Sequence, residues 1–77
     1  MNNRRRDSLR NAISYLEKAS DIISNAADEE RDCYDNMPEN LLDSDRCVAM
    51  ETAADCLDDA IDSIDTAIDA INEAISQ

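Results

Sequence analysis

The sequence predicts an all-α protein, an antiparallel two-helix hairpin of coiled-coil type that dimerises into a four-helix bundle. Three observations carry this reading. The 77-residue chain has no Gly and one Pro. Its apolar residues recur at alternating spacings of three and four through both halves. Pro38, which cannot continue a helix through itself, divides the two periodic stretches. The length corresponds to one domain, residues 1–77, near the size at which a single core gives little net stability and oligomerisation becomes a common aid.

Helix 1 is expected over about residues 4–35. Its inner seam reads Leu9, Ile13, Leu16, Ser20, Ile23, Ala27, Glu30 and Tyr34. Ser20 is the only serine in that seam, and it is expected to bond back to its own helix. The turn, residues 36–44, lies in the stretch DNMPENLLDSD. There Asp35 or Asn36 closes helix 1, and Met37 is held extended by the following proline. Leu41 and Leu42 are placed to plug the bundle end, and Ser44 to cap the next helix.

Helix 2 is expected over about residues 45–76. Its seam is Cys47, Met50, Ala54, Leu57, Ile61, Ile64, Ile68, Ile71 and Ile75, and within it AIDSIDT is followed by AIDAINE, a repeat with the period of the heptad. Two helices of equal length and a short turn pair antiparallel. One register then opposes Leu9 to Ile75, Leu16 to Ile68, Ile23 to Ile61 and Tyr34 to Met50. It also sets Arg4, Arg5 and Arg6 beside the C-terminus of helix 2, where Asp69, Glu73 and the helix dipole can use them.

A second seam bears on oligomerisation. Helix 2 carries Ala49, Ala53, Cys56, Ala60, Ser63, Ala67, Ala70 and Ala74 beside its isoleucine row. Helix 1 carries Ala12, Tyr15, Ala19, Ile22, Ala26 and Cys33. Together these faces are wider than one partner helix can cover, so a homodimer is expected, with Ala53, Ala60, Ala67, Ala74, Tyr15 and Ile22 in its seam.

Nineteen acidic residues against seven basic ones give a net charge of -12. Direct binding to nucleic acid or an anionic membrane would be repelled, and the expected macromolecular partner is a basic protein surface. The charge is polarised: Arg4, Arg5, Arg6 and Arg10 crowd the N-terminus, and no Lys or Arg follows Arg46. Helix 2 therefore carries an uninterrupted carboxylate ridge of Asp55, Asp58, Asp59, Asp62, Asp65, Asp69 and Glu73, with Asp45 and Glu51 nearer the turn. Asp is a poorer helix former than Glu, and like charges three and four apart destabilise a helix by roughly 0.2–0.5 kcal/mol per pair at low salt. A solvated face that only maintains solubility is one reading of this ridge. A cation site is a second, but it would need inward-facing Glu or a Glu-x-x-His pair, or a Gly-containing Ca²⁺ loop, and neither is present. The third is a nucleic-acid mimic, in which short carboxylates on a rigid rod stand in for phosphates.

Nothing points to an enzyme. There is no His, no Gly-rich phosphate loop and no Cys-x-x-Cys pair, so no catalytic, cofactor or metal residue is assigned. Cys33, Cys47 and Cys56 are expected to be reduced, small apolar residues, the one pairing open to the hairpin being Cys33 with Cys47. No run is long and apolar enough for a membrane span or a secretory signal, and the expected location is cytoplasmic.

At the turn, the run YDNMPENL (residues 34–41), followed by Ser44, Arg46 and an Ala/Asp/Ile helix, resembles a family of small acidic helical-hairpin proteins encoded by Gram-positive gut bacteria and their prophages or mobile elements. That family brings no established activity, so no functional residue transfers. The resemblance implies a setting in which small proteins antagonise host machinery. The resulting expectation is a phage or mobile-element inhibitor of anti-CRISPR or anti-restriction type, acting as a DNA mimic on a nucleic-acid-processing enzyme. The alternative is a structural or regulatory oligomerisation module docking through its Ala/Ile seams.

Overall fold

The structure, a computed structural model, describes residues 1–41 and 44–77, with Leu41 described in its backbone alone. Helix α1 runs Asn3–Asp35 and helix α2 runs Asp45–Ile75, with a short 3₁₀ turn at Glu39–Leu41 between them. The helices pack against each other as an antiparallel hairpin, as the two seams predict. The proposed plug of the bundle end by Leu41 and Leu42 lies outside the described residues.

Each boundary has a local cause. At the start of α1, the Asn2 Oδ1 accepts the Arg5 backbone N–H at 2.9 Å. At the start of α2, the Ser44 Oγ accepts the Cys47 backbone N–H at 3.2 Å, with Ser44 itself extended at φ -73° and ψ 156°. Helix α1 closes on Asn36, whose N–H donates to the Asp32 carbonyl at 3.1 Å. Met37 then donates to the Tyr34 carbonyl, also at 3.1 Å, immediately before Pro38. No described residue has positive φ, so α1 ends without a left-handed cap, in keeping with a chain that has no Gly.

Contacts near both ends fix the pairing. Near the termini, the Arg6 Nε donates to the Ile75 carbonyl at 3.1 Å, supplying a cation to an otherwise open C-terminal acceptor of α2. This is the role expected of the arginine tip, carried by the backbone carbonyl; among the described residues no arginine of the tip pairs with Asp69 or Glu73. Near the turn, Tyr34, Met50 and Ala54 line one cleft with Arg31 and Glu51, consistent with the register that opposes Tyr34 to Met50.

The core is thin. Only Ala27, Cys47 and Ala54 are buried among the described residues, and the isoleucines of α2 are half-buried at best. Two of the buried ones are small residues of the packed seams, Ala27 at 1 % exposure and Ala54 at 3 %. The three cysteines are free thiols, with Cys47 sealed inside and Cys33 and Cys56 exposed. Ser20 is half-buried; the hydroxyls that bond back to their own helix are instead Ser8, Ser63, Thr66 and Ser76. The molecule is a rod with extents of 59 × 15 × 12 Å and a radius of gyration of 17.5 Å. A globular chain of this length would have a radius of about 11–12 Å.

Candidate functional site

The rod has two broad sides, and their chemistry differs. At about 100° per residue, the row Ala12, Tyr15, Ala19, Ile22 and Ala26 is rotated about a quarter-turn from the packed seam of α1. On α2 the alanine row is rotated from its own seam by a similar angle and in the same sense. Because the helices run in opposite directions, these equal rotations bring both rows to the same side of the hairpin. The acidic row of α2 is rotated in the opposite sense and faces the other side.

That acidic side is built on α2 as expected. Asp55, Asp62, Asp65 and Asp69 are exposed on it, and Asp59 and Glu73, also exposed, lie half a turn from the seam at the outer edge of α2. Among the described residues none of these six has an ion-pair partner. Asp58 differs: it is half-buried, and its Oδ2 accepts from the Arg31 guanidinium, which reaches across from α1. The same guanidinium lies 3.9 Å from Asp28 on its own helix. One cation thus straps the two helices together along the acidic side.

The hairpin adds a second row that sequence reasoning missed. Glu17, Asp21, Asp28 and Asp35 of α1 are exposed, and their rotation from the α1 seam takes them to the side that carries the α2 ridge. Two antiparallel rows of carboxylates therefore run side by side, their helix axes about 8–10 Å apart by ordinary helix packing. The signal for this row was available as the spacing of four and seven residues. It becomes meaningful only once the helices are known to be antiparallel. Arg10 lies near the end of this row and pairs with Asp7 at 2.9 Å. Lys18, the only lysine, is exposed at the outer edge of α1, on neither broad side.

The opposite side carries the residues that the sequence assigns to an oligomer seam. Tyr15 and Ile22 are 71 % and 69 % exposed, large apolar side chains left open to water. Ala67 is exposed, and Ala53, Ala60 and Ala74 are half-buried at its inner margin. Between residues 12 and 26 of α1 and 49 and 74 of α2, no charged side chain falls within this face.

Among the described residues no three His, Cys, Asp or Glu side chains converge as metal ligands, and no helix is long and apolar enough to cross a membrane. The carboxylates are spread along the rod, which suits recognition of an extended charged surface better than capture of a single ion. No family model, curated protein or solved structure matches this chain.

Proposed function

We propose that this chain is a non-enzymatic acidic binding protein that engages a basic, nucleic-acid-binding protein surface, with its carboxylates taking the places of backbone phosphates. The ridge of Asp55, Asp58, Asp59, Asp62, Asp65, Asp69 and Glu73 makes the main contact, and Glu17, Asp21, Asp28 and Asp35 form the second row. The observation that supports this most is the exposure of the ridge, whose single ion pair among the described residues is the Arg31 to Asp58 strap. Along α2 the nine carboxylates from Asp45 to Glu73 fall about 5 Å apart on average by the helix rise, against about 3.4 Å per phosphate along one DNA strand. A groove lined by Lys and Arg that accepts one polyanion accommodates the other, and steering by opposite charge would make the encounter fast and salt-sensitive.

The turn's resemblance to small mobile-element proteins sets the form of the proposal: an inhibitor of a host nucleic-acid-processing enzyme, of anti-CRISPR or anti-restriction type. The direct test is capture of host-lysate proteins on the immobilised protein, eluted by a salt gradient. A nucleic-acid-binding protein that elutes steeply with salt and is competed by DNA or RNA is the expected result. Asp55, Asp58, Asp62, Asp65 and Asp69 changed together to Asn should abolish that capture while helix content is kept. Capture unchanged in the Asn variant would remove the ridge from the mechanism.

The exposure of Tyr15 and Ile22 favours a second reading, a structural or regulatory helical module that docks through its Ala/Ile seams. Under it, bulky replacements at Ala60 and Ala67 would abolish function and the five-Asn variant would not.

A further inference from the structure

We infer that the apolar side of the hairpin is covered by a second copy of the chain, laid face to face with its turn over the first copy's termini. The inference is independent of the acidic side, which this arrangement leaves free.

The surface area asks for a cover of this size. The hairpin exposes 5696 Å². A globular monomer of 8.6 kDa is expected to expose roughly 4,700 Å², leaving an excess of about 1,000 Å². A standard interface takes about 800 Å² from each partner, so one face-to-face contact would remove most of the excess.

The occupant follows from the symmetry of the face. A two-fold contact uses the same patch twice, so residues must match under reversal about its centre. Tyr15 and Ile22 lie at nearly equal distances on either side of the midpoint of α1, close to Ala19. With the axis there, Tyr15 of one copy lies beside Ile22 of the other, and each fills the space between small neighbours, Ala12, Ala19 and Ala26. The same axis sets Ala60 of α2 near Ala70 of the second copy and Ser63 near its Ala67. Small residues along that line let the two α2 helices approach closely.

Charge selects the orientation. Arg4 and Arg5 border the apolar face at the termini, and both are exposed. Glu29 and Glu30 border it at the turn end of α1. With the turns at opposite ends, Arg4 and Arg5 of each copy come within about one helical turn of Glu29 and Glu30 of the other. With the turns together, the two arginine tips would meet and so would the two acidic turn ends. The first arrangement sets the arginine tip of each copy against Glu29 and Glu30 of the other at both ends of the bundle; the second sets like tips together, and Arg46, exposed at the turn end of the same side, offsets part of the acidic charge there in either case.

Two measurements on the whole chain test this. Sedimentation equilibrium should give twice the 8.6 kDa chain mass, and Ile22→Asp should shift the population to monomer at the same concentration. For orientation, a spin label at Asn40→Cys, with Cys33→Ser and Cys56→Ser and the buried Cys47 retained, reports the distance between the two turns. The expected separation approaches the 59 Å length of the rod. A monomeric mass for the unmodified, helical protein from micromolar to millimolar concentration would overturn the inference. So would a label separation of about 10–20 Å, one or two interhelix spacings, which would place the turns together.

Discussion

Arg31 and Ala54 show how much a single residue decides in so thin a core. The Arg31 strap joins side chains that are 41 % and 48 % exposed, so solvent screening holds its contribution to the level of surface pairs. Arg31→Met should destabilise the hairpin by about 0.2–1 kcal/mol, with a coupling to Asp58→Asn of similar size in a double-mutant cycle followed by urea unfolding. Ala54 is the stricter position. At 3 % exposure and close to α1, it has no room for a larger side chain, and Ala54→Leu should cost about 1–3 kcal/mol through forced separation of the helices. Ser44→Ala removes the acceptor for the Cys47 N–H and should cost about 0.5–2 kcal/mol, read in the same unfolding assay. The Ala54 seam position and the Ser44 cap were legible in the sequence, because heptad spacing and helix-start chemistry are local. The Arg31 strap was not. It joins positions 27 residues apart, and the ridge spacing alone placed Asp58 among free carboxylates.

On the scale of the helices, the isoleucine period of α2 and the single proline were enough to place both elements within a residue or so of their ends. The sense in which each side row rotates about its helix carries no information until the helices are paired. That is why the ridge on α2 could be read in advance, and the row of Glu17, Asp21, Asp28 and Asp35 could not. The ridge also makes α2 a helix under self-repulsion, with no Lys or Arg beyond Arg46 to relieve it. Salt should therefore raise its stability: a melting temperature that climbs between low salt and about 0.5 M NaCl is expected, because screening over a few ångströms removes most exposed repulsion. The five-Asn variant should start from a higher melting temperature and respond much less to salt. An equal response in both proteins would place the repulsion elsewhere.

For the molecule as a whole, the rod shape is the main energetic fact. With three buried residues among those described and a radius of gyration of 17.5 Å, an isolated hairpin has little core to oppose its chain entropy. If a second copy supplies the missing cover, thermal stability becomes a function of protein concentration. The melting temperature should then rise with each tenfold increase in concentration, and Ile22→Asp should abolish that dependence. The all-α hairpin was readable from apolar period and composition. How much surface a lone hairpin leaves open required the accessible area of the folded rod.

Lys18 has a practical consequence for handling this protein. As the only lysine, exposed on the outer edge of α1, it shares amine chemistry only with the N-terminus. Amine-reactive coupling to a bead or sensor chip would attach each molecule by its rim or its tip. Either attachment would leave the acidic side facing solution, without an added tag.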